Sequence, residues 1–98
     1  MDINKNKNGE ALEIALTGRL DTTTAPQLDE VLKTDLEGIS SLTFNLGALD
    51  YISSAGLRVL LSAQKVMNKQ GEMKVINVKD DIMEVFDITG FADILTIE

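Results

Sequence analysis

Leu42-Thr43-Phe44-Asn45-Leu46-Gly47-Ala48-Leu49-Asp50-Tyr51-Ile52-Ser53-Ser54-Ala55-Gly56-Leu57-Arg58-Val59-Leu60-Leu61 is the stretch that decides how this chain is read. Leu42, Phe44 and Leu46 alternate with Thr43 and Asn45, the two-residue period of a strand with one buried face. From Ser53 the apolar residues recur at helical spacing as far as Gln70, where Gly71 supplies a stop. The segment Leu49–Leu61 therefore leads from the end of a strand, through a short turn, into the longest helix. Strands that give way to helices define an α/β protein.

The flanks repeat the pattern. Asn4–Gly9 is polar and ends in Asn8-Gly9, the dipeptide suited to a type I′ hairpin turn, with a short first strand before it. Leu12, Ile14 and Leu16 then alternate with Glu13, Ala15 and Thr17, and Gly18-Arg19-Leu20-Asp21 closes that second strand. A helix is predicted over Thr24–Glu37, with Thr24 and Gln27 as a capping box and Pro26 in the first turn, where its missing N–H costs nothing. Leu28, Val31, Leu32 and Leu36 form its inner face, and Gly38 ends it. Met73–Val78 reads as a strand and Lys79–Thr89 as a short helix with Ile82, Val85 and Phe86 inward, capped by Gly90. Ile94–Ile97 is expected to add an edge strand. The sum is one α/β domain over residues 1–98, with a mixed sheet of four to five strands covered by α-helices.

Composition narrows the function. The 98 residues carry nine Lys plus Arg against sixteen Asp plus Glu, a net charge of −7, which opposes a nucleic acid or an anionic membrane as main partner. There is no Cys and no His, which removes thiolate zinc sites, cysteine nucleophiles, the usual general base and every His-containing triad. No metal and no cofactor is called for. No apolar run approaches the roughly 18–20 residues needed to cross a bilayer, and the first residues lack the apolar core of a signal peptide. A cytoplasmic protein that is not an enzyme is the expectation.

Ser53 and Ser54 stand where a site would be. Ligands of open α/β sheets lie outside the carboxyl ends of strands, and a helix N-terminus offers free N–H groups and a positive dipole end. Two hydroxyls followed by Gly56 suit a phosphoryl group. The same residues also serve as an ordinary cap, since Ser is a favoured N-cap residue. At about 100° per residue, Leu57, Leu60, Leu61, Ala63, Val66 and Met67 occupy one broad arc. Arg58, Ser62, Lys65 and Lys69 occupy the opposite one. Ser54 falls on the polar side, one turn before Arg58, and Ser53 turns toward the apolar arc.

Asp50–Leu61 (DYISSAGLRVLL) closely resembles the signature of STAS domains, in particular of the bacterial anti-sigma-factor antagonists. Leu16–Thr24 (LTGRLDTTT), Leu42–Leu49 (LTFNLGAL) and Phe86–Phe91 (FDITGF) agree with it in order, so the resemblance covers nearly the whole chain from Leu12. It implies a cytoplasmic switch module that binds a serine-kinase anti-sigma factor and so frees a sigma factor. The kinase phosphorylates a serine at the helix start, the complex separates, and a PP2C-type phosphatase restores the unmodified form. The matching position is Ser54, with Ser53 as runner-up, and Ser53 occupies the place of an Asp found in many members. By the same matching, Asp21 and Asn45, each at a strand end, correspond to polar residues beside the serine. The partner-binding surface implied comprises Asp21, Thr22, Asn45, Asp50, Ser53, Ala55, Gly56, Arg58 and Ser62.

Two other functions are weighed against this. An enzyme with Ser54 as nucleophile would need a Lys or a carboxylate such as Asp21 as base, and neither G-x-S-x-G nor S-x-x-K is present. A STAS scaffold subunit of a sensory or lipid-transport complex would keep the fold without a phosphorylation switch. Nothing in the pattern sets an oligomeric state.

Overall fold

Two antiparallel strands joined by a tight turn begin the computed structural model, which describes residues 1–98. β1 (Asp2–Asn8) pairs with β2 (Ala11–Leu20) in a register that sets Asn8 opposite Ala11. The two turn residues are therefore Gly9 and Glu10. Gly9 alone has a positive φ, of 64°, which suits the first central position of a type II′ turn and not the type I′ turn expected from Asn8-Gly9. There follow α1 (Ala25–Asp35), β3 (Ser41–Ile52), α2 (Ser54–Gln70), β4 (Glu72–Ile76) and α3 (Asp80–Thr89), with a 3₁₀ turn at Phe91–Asp93. The sheet order is β1-β2-β3-β4, and β2, β3 and β4 are parallel.

Register places the core. Leu42 lies between Leu12 and Met73, and Phe44 between Ile14 and Val75; all six are buried. Leu28 and Leu32 of α1, Leu57, Leu60, Ala63 and Met67 of α2, and Ile82 and Phe86 of α3 join the same cluster. On the other face of the sheet Ala11, Thr17 and Lys74 are exposed, Glu13 and Ala15 half-buried, and Thr43 buried. The helices thus cover one face of the sheet and leave the other to water. Val31, Val85 and Leu61, placed inward by periodicity, are half-buried, and Val66 is 40% exposed. The buried arc of α2 is instead shifted toward Val59, and it takes in Gln64.

β3 is twice as long as its alternating half. Two register shifts against β2, at Ala15/Thr17 and Gly18/Arg19, add residues to β3 and break the two-residue period. Leu46, Leu49 and Ile52 are the buried residues beyond Asn45, a spacing of three that hides strand in the sequence. The expected turn before α2 is absent, because β3 runs to Ile52 and Ser53 is already the helix cap. At the far edge the expected strand over Ile94–Ile97 reduces to one bridge. Val75 N–H donates to Thr96 O at 2.8 Å and Glu98 N–H to Val75 O at 3.0 Å. β4 ends at Ile76, short of Val78, where Asn77 adopts a left-handed φ of 58°. The connection from α2 to β4 is equally tight: a Cβ on Gly71 would overlap the Ser40 carbonyl.

Leu60 has no exposed surface and Lys65 is exposed. Leu60→Ala is expected to cost about 2–5 kcal/mol and Lys65→Ala to leave stability nearly unchanged. Urea denaturation followed by circular dichroism checks the difference, and equal midpoints would contradict the orientation of α2.

Candidate functional site

The end of β2 and the start of α2 are held together by backbone. Leu20 pairs with Ile52 in the parallel register, and Ser53 N–H donates to Leu20 O at 2.9 Å. Ser53 is the N-cap of α2, with extended φ and ψ (−100°, 175°), and its Oγ accepts from Gly56 N–H at 3.4 Å. Its carbonyl accepts from Leu57 N–H at 2.9 Å. Ser53 is half-buried, whereas Ser54, the first helical residue, is exposed. The two serines are thereby divided. One closes the helix, and the other presents its hydroxyl to water.

Gly56 is buried, and a Cβ there would stand 2.7 Å from Leu20 Cγ and 3.0 Å from Ile52 Cγ1. Its place among the partner-contacting residues is corrected accordingly: it offers almost no surface, and it lets the first turn of α2 close on β2. Ala55 beside it is half-buried.

Asp21 directly follows β2 and organises the start of α1. Its Oδ1 accepts from Thr23 N–H at 3.0 Å, Thr23 Oγ1 at 2.8 Å and Thr24 N–H at 3.1 Å. Thr24 does not form the expected capping box with Gln27. Its hydroxyl donates to Arg19 O at 2.8 Å and accepts from Asp21 N–H at 2.8 Å, so it ties the loop back to β2 instead of reaching along the helix. The Thr23 hydroxyl lowers the Asp21 pKa most; desolvation opposes it, and the backbone N–H groups of Thr23 and Thr24 add to the lowering, so that the carboxyl lies below its ordinary pKa. Thr22 is exposed at the tip of this turn.

Sequence reasoning passed over Arg19 and Tyr51, which face each other in the register of β2 and β3. The Arg19 guanidinium lies 4.1 Å from the Tyr51 ring centroid, and Arg19 Nε is 3.7 Å from Asp21 Oδ2. No motif marks such a pair, because 32 positions of chain separate two residues that only the register brings together. Asp50 is exposed and accepts from Lys79 Nζ at 2.9 Å, a link from β3 to the start of α3. Arg58 and Ser62 continue along the exposed side of α2.

Asn45 does not belong to this group. It lies inside β3, opposite Ala15 and Ile76, and not at a strand end. From Ala15 to Leu20 the neighbouring strand covers about 17 Å, at about 3.3 Å per residue. Asn45 Oδ1 accepts from Gly47 N–H at 3.0 Å and from Asn77 Nδ2 at 3.2 Å, which buttresses the irregular part of β3 where β4 leaves the sheet.

The chain is thus a one-sided α/β domain with an exposed serine at the head of its longest helix. The STAS domain model matches residues 2–98, and the chain belongs to that family. BtrV of Bordetella bronchiseptica is 37% identical over 99 residues, covering 99% of this chain and 85% of the relative. The anti-sigma-B factor antagonist of Bacillus subtilis is 33% identical over 98 residues, covering 99% of this chain and 88% of that protein. Among solved structures, an anti-sigma factor antagonist from Mycobacterium paratuberculosis superposes with a TM-score of 0.88 at 18% identity, covering 98% of this chain and 83% of its own. The Bacillus cell fate determinant SpoIIAA in its phosphorylated form gives 0.78 at 18% identity, covering 99% and 91%.

Gly56→Ala is expected to lower the unfolding midpoint, because overpacking against Leu20 costs about 1–3 kcal/mol and the opposing gain in helix propensity is at most about 1 kcal/mol. Thermal denaturation of the purified variant measures it. Because the folded-state pKa of Asp21 lies below the unfolded value, its stabilising effect is present above about pH 4 and fades as pH falls through the folded-state value. Asp35, lowered chiefly by Lys5 Nζ at 2.8 Å, adds to the same window. Urea midpoints between pH 7 and pH 3 are therefore expected to fall, and Asp21→Ala to reduce that fall without abolishing it.

Proposed function

We propose that this chain is an anti-sigma-factor antagonist, a binding module that sequesters a serine-kinase anti-sigma factor and is switched by phosphorylation of Ser54. The observation that carries the reading is the division of labour between the serines. Ser53 caps α2 and hydrogen-bonds to β2. Ser54, one residue on, is exposed and free of any structural duty. The family and the names of the relatives support the same reading. A PP2C-type phosphatase would return the protein to its binding form, and both reactions belong to a cytoplasmic circuit in which this chain is the substrate and not the enzyme.

The physics of the switch follows from position. Phosphorylation adds a charge of about −1.5 to −2. At the N-terminus of α2 the dipole tolerates that charge, so the fold persists in both states. An interface shaped around a neutral hydroxyl would have to accommodate a dianion. A thousandfold loss of affinity requires about 4 kcal/mol, at about 1.4 kcal/mol per decade, and one desolvated, poorly paired phosphate supplies it.

The test uses the cognate kinase, ATP and mass spectrometry. Ser54→Ala is expected to fold, to bind the kinase and to take no phosphate, since Ser53 keeps the cap. Ser54→Asp is expected to fold and to bind more weakly. Ser53→Ala should lose about 0.5–2 kcal/mol of stability with the cap and still accept phosphate. Phosphate mapped to Ser53 would reverse the roles of the two serines. If neither residue were modified and Ser54→Asp bound as tightly as the wild type, a scaffold role without a switch would replace this one.

A further inference from the structure

Charge is sorted by helix in this molecule. α3 carries Asp80, Asp81, Glu84 and Asp87 and no cation, and α1 carries Asp29, Glu30 and Asp35 with Lys33 alone in opposition. α2 is the reverse: its 17 residues contain Arg58, Lys65 and Lys69 and not one Asp or Glu, in a chain with sixteen acids. Even its first turn lacks the acid that a helix N-terminus favours.

The cations of α2 are also unspent. Lys5, Arg19, Lys33, Lys74 and Lys79 form ion pairs with Asp35, Asp21, Asp29, Glu98 and Asp50. Arg58, Lys65 and Lys69 form none, and all three are exposed. With Ser54 they lie within about 60° of arc at about 100° per residue, along about 22 Å of helix at 1.5 Å per residue. Beside this strip runs a cleft of about 270 Å³ between α1 and α2, lined by Leu32, Leu36, Ala63 and Val66 among others.

We infer that the outward face of α2, Arg58, Lys65 and Lys69, is a docking strip for an acidic surface of the anti-sigma factor, with the adjoining cleft receiving an apolar side chain from it. This rests on the function proposed above and adds to it the extension of the surface from Ser54 and Arg58 along α2 to Lys69 and the charge that the partner presents there. Three uncompensated cations on an otherwise acidic molecule form a local positive field that steers an acidic protein surface into place. The net charge of −7 opposes extended polyanions, which would meet the rest of the surface too. Ser54 closes one end of the strip, so its phosphate would set a negative charge beside Arg58 and invert the field where docking begins.

The experiment measures binding of the purified cognate anti-sigma factor to the full chain by titration calorimetry at low and high salt. Lys65→Glu and Lys69→Glu are each expected to weaken binding about tenfold at low ionic strength, an effect that shrinks as salt screens it. Lys7→Glu, the same change of charge at the one other unpaired cation, on β1, is expected to change it less than about twofold. Circular dichroism confirms that the variants fold. If Lys65→Glu and Lys69→Glu bind no more weakly than Lys7→Glu, the strip is overturned and the functional reading stands. If the wild type does not bind the anti-sigma factor, both fall. Strip-dependent binding of the wild type to phosphatidylserine vesicles or duplex DNA in place of the anti-sigma factor would overturn the acidic-protein assignment, as would strip-dependent self-association seen by sedimentation.

Discussion

The carbonyl of Leu20 receives the backbone N–H of Ser53 at 2.9 Å, and the side chain of the same Leu20 lies where a Cβ on Gly56 would have to go. Through this contact the end of β2 meets the start of α2, and the site depends on it. It sets the depth at which α2 enters the core, and so which of its residues are buried. It makes Ser53 a cap and leaves Ser54 outside. It also places Asp21, the residue after Leu20, beside the helix start, where the Thr23 and Thr24 donors hold its carboxylate in its charged form.

Stability and recognition are assigned to different atoms. The fold is held by one apolar cluster packed on one face of the sheet, and each exposed ion pair adds little, on the order of 0–1 kcal/mol. The surface around Ser54 is accordingly free to be shaped for a partner. In the proposed switch a phosphate at Ser54 would meet a helix end that welcomes negative charge and a cationic helix face, so modification would act on what docks and not on whether the domain folds. That separation is what a module read by other proteins requires.

Parts of this were legible and parts were not, for physical reasons. The alternation of Leu12, Ile14 and Leu16, and of Leu42, Phe44 and Leu46, reports strands buried on one face, and all six residues are buried. The second half of β3 was hidden because its irregularities space Leu46, Leu49 and Ile52 by three, a helical signature inside a strand. The Thr24–Gln27 spacing suggested a capping box, yet the Thr24 hydroxyl finds Arg19 O and Asp21 N–H nearer. Val66 satisfies the helical period and is still exposed, because the arc that a helix buries depends on its neighbours and not on its own sequence.

Local chemistry alone determined that a helix begins at the serine pair, that Ser54 shares an arc with Arg58, and that a chain without His or Cys holds no His-containing triad and no thiolate site. Those conclusions need only periodicity, capping preferences and the charges of side chains. Tertiary structure decided the rest: that Gly56 is a packing residue, that Asn45 stands apart from Asp21, and that Arg19 covers Tyr51. Each of these depends on the register between parallel strands joined by a helix. A two-residue slip in that register keeps every buried face buried while moving each cross-strand pair along the strand, so no alternation along the chain encodes it.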